Sequence, residues 1–217
     1  MTVELQRRGY YRCENTVARL MQSEGIRAKM DRRHKPRQWQ KGSKIACPNH
    51  LSEIRNPRPH EVWVADFTYT RHQGEYVYFS TIMDLATRRI IGEDISTIRD
   101  ANMIIRTFKR AQRRYPDARP RIFHSDRGIE YANYKLGNIL KAAAIKQSMS
   151  GKGNCYDNAH MESFFHTFKS EMYYTEKFRG IEEFKIRTKE YLQFYNKYRL
   201  HSSLGYISPV EYARTYV

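Results

Sequence analysis

The sequence predicts an α/β fold: a mixed five-stranded sheet with flanking helices, preceded by a small, basic, helical N-terminal segment. Three observations carry that expectation. β-rich runs follow one another at V-W-V-A-D-F-T-Y-T (62–70), Y-V-Y-F-S-T-I-M-D (76–84) and R-I-I-G-E-D-I-S (89–96), with only short polar breaks, as in a meander. Residues 101–115 then change to a helical period, and the short run R-I-F-H-S-D behind them is a strand reached by a helical crossover, which favours parallel pairing. With 40% hydrophobic residues and 17 tyrosines, the 217-residue chain can bury one good core with an appendage and is too rich in core formers for a disordered tail.

In chain order, residues 13–24 place Val17, Leu20 and Met21 at helical spacing, with Gly25 as a stop, so a short amphipathic helix is expected. Arg27 to Lys44 holds eight Lys or Arg against the single acid Asp31 and few apolar residues; it reads as an extended basic linker that tracks phosphates. The expected division is 1–46 for the N-terminal segment and this linker, 47–58 for a further linker, and 59–217 for the main domain with C-terminal helices. In the helix at 101–115, Met103, Ile104, Phe108 and Ala111 share one face. Residues 133–144 form another helix, and I-K-Q-S-M-S a fifth strand running into the glycine-rich G-K-G-N. From Asp157 to about Lys177 a long helix buries Met161, Phe164, Phe165, Phe168 and Met172, with Asp157 as its cap, and a last helix follows from about Ile181 to Tyr198.

Thirty-nine Lys and Arg against 23 acids give a net charge of +16, a field that attracts polyanions, and nucleic acid is the leading partner. No long apolar run or amphipathic anchor accompanies the charge, so a membrane is not expected. Cys13, Cys47 and Cys155 are scattered and odd in number, which argues against a disulfide framework and suits a reducing cytoplasm. No signal peptide is visible at the N-terminus. Cys47 and His50, with His34 and Cys13 upstream, match no closed four-ligand zinc spacing.

Three carboxylates sit on three rigid elements. Asp66 interrupts an apolar and aromatic strand, Asp126 ends the fourth strand, and Glu162 lies in the first turns of the long helix, so they can converge at one edge of the sheet. Oxygen donors without Cys or His suit a hard cation such as Mg²⁺, and two such ions can activate the attacking oxygen and stabilise the leaving one at phosphorus. Any one of these acids alone is more often a turn or cap residue. Lys169, seven residues after Glu162 on the same helical face, and His166, one turn after it, strengthen the combination: either a surface ion pair, or a lysine holding substrate phosphate beside the metals. His124 reads as a positioning or packing residue, Asp84 as a turn residue, and Glu130 as an extra carboxylate near Asp126 with no assigned role.

The segments W-V-A-D-F-T-Y-T, H-S-D-R-G-I-E-Y, S-G-K-G-N-C-Y-D-N-A-H-M-E-S-F-F-H-T-F-K-S-E and Y-N-K-Y-R-L-H-S-S-L-G-Y-I-S-P-V-E-Y closely resemble the larger-frame (OrfB) transposase of bacterial insertion sequences of the IS-three family. The resemblance holds in order and spacing, with 35 residues between Asp126 and Glu162 and Lys169 in register, over roughly residues 9–215. It implies a ribonuclease-H-like integrase core at 59–217 whose acidic triad is Asp66, Asp126 and Glu162, the catalytic and metal-binding residues of a DDE-type polynucleotidyl transferase. It further implies a Lys169 contact to the transposon end and an active-site rim at Asn154 to Asn158, and the cofactor expected at the three acids is two Mg²⁺ ions, replaceable by Mn²⁺. His166 and Arg127, together with Arg32, Arg33, Lys35 and Arg37 of the basic linker, complete the expected DNA contacts.

The implied activity is cleavage of transposon-end DNA and strand transfer by a 3′-hydroxyl, in a bacterial cytoplasmic, nucleoid-associated protein acting on double-stranded DNA as a homo-oligomer. The family's principal helix-turn-helix usually lies in an upstream frame, so a separate partner or a frameshift fusion is expected to supply end recognition. The helix at 13–24 resembles a small helix-turn-helix-like segment; as physics it is equally a packing or oligomerisation helix. Two alternatives remain: an inactive relic that binds DNA, and a plain ribonuclease-H-like nuclease.

Overall fold

Two tight turns and two helical crossovers build a single sheet in the computed structural model, which describes residues 1–27, 47–151 and 158–216. The strands are Val62–His72 (β1), Glu75–Asp84 (β2), Ile90–Ser96 (β3), Ile122–Ser125 (β4) and Lys146–Met149 (β5), in the order β3-β2-β1-β4-β5. Gln73 and Gly74, both at positive φ, make the two-residue turn that keeps β1 and β2 antiparallel, the backbone such hairpins require. Asp84 organises the next turn, accepting hydrogen bonds from Thr87 Oγ1 (2.5 Å) and His60 N (2.9 Å), as its turn reading expects. The helix α3 (Ala101–Arg114) then carries the chain across to β4, parallel to β1, and α4 (Tyr134–Ala142) carries it on to β5, parallel to β4.

Strand alternation divides the core. Val62 and Val64 of β1 and Ile122 of β4 face α5 (Ala159–Phe168) and α6 (Ile181–Lys197), while Trp63, Ala65, Phe67 and Phe123 face α3 and α4. Met103, Ile104, Phe108 and Ala111 are fully buried, as their spacing expects, and Asp100 caps α3 through Met103 N (2.9 Å). Gly92 on β3 sets how closely α3 lies on the sheet: a Cβ there would sit 2.7 Å from the Thr107 carbonyl oxygen. At the sheet margin, the Asn196 amide of α6 pairs with both Ile90 N and Ile90 O at 2.9 Å, covering part of the β3 edge.

The long helix expected to about Lys177 stops at Phe168 as an α-helix and continues as a π-turn over Lys169–Tyr173. No helix breaker marks this point. Tertiary partners hold the wider turn: the Tyr173 hydroxyl donates to Arg71 O (2.7 Å) and accepts from Arg71 N (3.2 Å), and Glu171 accepts from Arg199 Nη2 (2.8 Å) and Tyr191 Oη (3.0 Å). The predicted cap Asp157 lies outside the described residues, and the cap position of α5 is Asn158.

Two short helices were not foreseen. α1 (Thr2–Arg7) precedes α2 (Glu14–Ser23), and α7 (Pro209–Arg214) closes the chain with a Ser208/Glu211 capping box. The stripe expected on α2 is covered only in part: Val17 is buried, whereas Leu20 is 51% exposed, because among the described residues no element packs over that side of so short a helix. Residues 47–58, expected as a linker, lie on the core, with Leu51 and Ile54 packed against it and His50 N donating to Ser148 Oγ (2.9 Å).

His201, in the segment before α7, packs edge-on against Tyr195 (4.7 Å) and keeps Nε2 buried without a hydrogen-bond partner. Burial first, then the charges of Arg199 and Arg88 against the opposing pull of Glu171, lower its pKa to about 4. A histidine whose folded pKa lies below its unfolded value binds protons more readily unfolded, so its stabilising contribution is full above about pH 6.5 and is lost as pH falls toward 4. Thermal melts should therefore fall between about pH 7 and pH 5, and fall less in His201→Gln. An identical pH slope in the two proteins would remove His201 from this role.

Candidate active site

Asp66 belongs by alternation to the same side of β1 as Val62 and Val64, the side covered by α5 and α6, and is 3% exposed. Its Oδ1 accepts from Phe67 N at 2.8 Å. β4 runs parallel to β1 with Ala65 opposite Ser125, so the next pair along the two chains is Asp66 and Asp126, the latter one residue past the strand rather than within it. Neighbouring strands lie about 4.8 Å apart, so the two residues continue the register at the end of β4. Asp126 is half-buried and its Oδ1 accepts from Gly128 N (3.0 Å).

Glu162 reaches this place through its helix. Asn158 Nδ2 donates to Ala65 O (3.4 Å), the Lys169 ammonium lies 5.9 Å from the Tyr69 ring centre, and Tyr173 bonds Arg71, so the helical segment tracks β1 from residue 65 to residue 71. Glu162 stands one turn, about 6 Å, beyond Asn158, between the first two of these contacts along the helical segment. It is exposed. Among the described residues no three His, Cys, Asp or Glu side chains are gathered closely enough to hold a metal ion, and the three acids form no closed cage. Their donor chemistry, oxygen only, fits a hard divalent cation.

Glu130 is the residue whose place the sequence does not disclose. It is 5% exposed, forms an ion pair with Arg99, and leaves Oε2 buried without a hydrogen-bond partner. A Cβ on Gly128 would lie 3.0 Å from Asp126 Oδ1 and 3.1 Å from Glu130 Oε2, so glycine is what lets the two carboxylates approach. Arg99 also lies 5.1 Å from the Phe67 ring centre, tying this pair to the residue after Asp66. The signal was the extra acid in S-D-R-G-I-E; its cation comes from 31 residues away in the chain.

The other expected residues fall in different places. His124 is fully buried, with Nδ1 at 2.9 Å from Ser148 Oγ and Nε2 at 3.2 Å from Ser150 Oγ; it ties β4 to β5, in keeping with its packing role. Arg127 Nε donates to Ser150 O (2.8 Å). Asn158, expected at the rim, is buried and straps α5 to β1. His166 is exposed and Lys169 half-buried on the segment that carries Glu162. Asn154, Arg32, Arg33, Lys35 and Arg37 lie outside the described residues, as do Cys155 and His34. Cys13 and Cys47 are free thiols.

Comparison with known proteins bears on this arrangement. Residues 56–155 and 143–209 each match an integrase core domain family. An uncharacterized transposase-like protein of Haemophilus influenzae is 36% identical over 197 residues, 90% of this chain and 90% of that protein. The transposase InsF of insertion sequence IS3A from Escherichia coli K12 is 33% identical over 214 residues, 98% of this chain and 74% of the relative. In fold, the HTLV-2 integrase catalytic core domain in complex with magnesium superposes with a TM-score of 0.57 at 11% identity, covering 73% of this chain and 99% of the viral domain.

Proposed function

The chain belongs to the integrase-core family of insertion-sequence transposases, with the ribonuclease-H-like fold expected, and on that premise we propose that it is a catalytic chain which cuts transposon-end DNA and joins the freed 3′-hydroxyl to a second phosphodiester. One observation supports this most directly: the β1–β4 register sets Asp66 beside Asp126 on the sheet face where α5 carries Glu162.

Two divalent cations, Mg²⁺ or Mn²⁺, would supply an activated oxygen nucleophile and neutralise charge on the leaving oxygen. Asp66 and Asp126 offer the fixed pair of oxygen ligands, braced by Phe67 N and Gly128 N. Glu162 is the adjustable third, exposed on its helix and free to rotate inward by a side-chain change. Lys169 and His166 stand on the same segment, where a cationic side chain can hold the strand's phosphates next to the carboxylates. His124 has no role as a base in this scheme, since a metal-bound oxygen needs no protein base, and its ring is held between Ser148 and Ser150.

Double-stranded transposon ends and target DNA are the substrates in this reading, with Arg127 and the basic stretch containing Arg32, Arg33, Lys35 and Arg37 as backbone contacts. Two ends must be held together for joining, so the working form is a homo-oligomer, and an upstream helix-turn-helix partner or frameshift fusion completes end recognition. The domain division at residue 59 and a cytoplasmic, nucleoid-associated location belong to the same proposal. Among the described residues no helix is long and apolar enough to cross a membrane.

The test separates transfer from hydrolysis. Labelled duplexes that end where the cut transposon end does, with either a hydroxyl or a dideoxy 3′ terminus on the reacting strand, are incubated with target DNA, Mg²⁺ and the upstream partner. Joined products with the first substrate and none with the second are expected. Nicking without joining on both would assign a plain nuclease, and no product on either would favour a DNA-binding relic.

A further inference from the structure

The β1–β2 ribbon beyond Asp66 carries a row of aromatic rings that runs outward from the core: Phe67 is buried, Tyr78 packs partly against the core, and Tyr69 and Tyr76 are exposed. β4 pairs only with residues 62–65 of β1, so from Asp66 onward β1 forms a margin of the sheet among the described residues. One side of the ribbon is packed, with Thr68, Thr70 and Val77 buried. On the other side the register, Tyr69 opposite Tyr78 and Arg71 opposite Tyr76, aligns the rings. Ring centres are 5.6 Å apart from Tyr69 to Tyr76, 6.4 Å from Tyr76 to Tyr78, and 6.5 Å from Tyr78 to Phe67, next to Asp66.

Tyr69 and Tyr76 are 41% and 49% exposed. Each has a cation at its ring: the Arg71 guanidinium lies 5.6 Å from the Tyr76 centre and the Lys169 ammonium 5.9 Å from that of Tyr69. Alternation puts the row on the side of β1 opposite Asp66, yet Lys169 comes from the helical segment on the Asp66 side. The carboxylate surface and the tyrosine row therefore meet at Lys169, across the β1 margin.

Half-exposed rings, each with a cation over it, match a polymer that has both anionic linkages and free π-faces, which is unpaired nucleic acid; a duplex presents phosphates but hides its bases. A polyanion suits the two cations of this row better than a second copy of a chain that itself carries +16. We propose that Tyr69, Tyr76 and Tyr78, with Arg71 and Lys169 at their margin, form a stacking platform for unpaired bases of one DNA strand leaving the carboxylate cluster. This rests on the DNA-transposase reading and adds to it a single-stranded segment as the ligand of the ribbon.

Binding of the full chain is measured by fluorescence anisotropy on a labelled oligothymidylate of about 20 nucleotides and on a duplex of equal length. The double variant Tyr69→Ala, Tyr76→Ala is expected to lose at least about tenfold in affinity for the single strand and less than about threefold for the duplex, because stacking is available only to free bases. The double variant Tyr69→Phe, Tyr76→Phe keeps the rings and should bind as wild type does. Unchanged single-strand affinity in the alanine protein overturns the platform. So does an equal loss on both DNAs accompanied by a lower melting temperature, which would mean that the rings only support the hairpin. A smaller assembly on a sizing column, with DNA affinity intact, overturns it in favour of an interface between copies. If wild type binds neither DNA, the transposase reading itself falls, a result distinct from any of these.

Discussion

Replacing Asp66 by asparagine should abolish cleavage and joining, by about a thousandfold or more, corresponding to about 4 kcal/mol of lost transition-state stabilisation. The substitution keeps shape and an Oδ1 acceptor for Phe67 N, so the local backbone need not move. What it removes is the negative charge of a carboxylate that is 3% exposed beside Asp126. A cation held by oxygen ligands loses most where a fixed, desolvated charge is withdrawn. Two readouts separate this from misfolding. Duplex affinity, set by basic residues elsewhere, should stay within about threefold of wild type. The rise in melting temperature on adding Mn²⁺ should vanish, since ligand-induced stabilisation requires binding to the folded state. Asp126→Asn should behave alike, and Glu162→Gln should lose activity with the least change in stability, its carboxylate being exposed. An Asp66→Asn protein with normal turnover, or with the full Mn²⁺ shift, would remove Asp66 from the metal site.

Much of this site could be read in one dimension because alternation is local. Val62, Val64 and Asp66 share a parity, as do Ile122, His124 and Asp126, so the side of the sheet on which each acid lies follows from its apolar neighbours. The pairing of β1 with β4 is not local: parallel strands 60 residues apart meet through the α3 crossover. The π-turn at Lys169–Tyr173 was hidden for a related reason. Its partners Arg71, Tyr191 and Arg199 lie at distant positions, and nothing within K-S-E-M-Y departs from helical composition. The Arg99 pair of Glu130 and the Tyr69 row are cross-element features of the same kind. α7 does carry a local signature, Ser208-Pro209 followed by Glu211, but in a helix of six residues with almost no apolar periodicity to announce it.

Phe168→Ala should be the most destabilising of the single core truncations on α5, costing about 3–5 kcal/mol of the roughly 5–15 kcal/mol that holds a domain folded. Phe168 is fully buried and its ring meets Phe79 of β2 at 4.8 Å, Tyr191 of α6 at 5.6 Å, Phe164 at 6.3 Å and Phe184 at 6.4 Å. Rings from the sheet and from α6 thus converge on one side chain, and these partners are themselves held by further contacts, so the space left by its removal closes poorly. The consequence extends to chemistry by position. Phe168 is the last α-helical residue, immediately before Lys169 and six after Glu162, and it fixes how the helix end lies along β1. Phe168→Leu retains an apolar filler and should cost well under half as much. Urea unfolding of the two proteins gives the comparison: a lower midpoint at unchanged slope for Ala, with a smaller shift for Leu. Activity measured where both remain folded should also fall in Ala, because a loosened helix end misplaces Glu162 by more than a phosphoryl-transfer site tolerates. Full activity at reduced stability would instead mean that Asn158 and Tyr173, the two hydrogen-bonded ends of the segment, position Glu162 without help from the aromatic core.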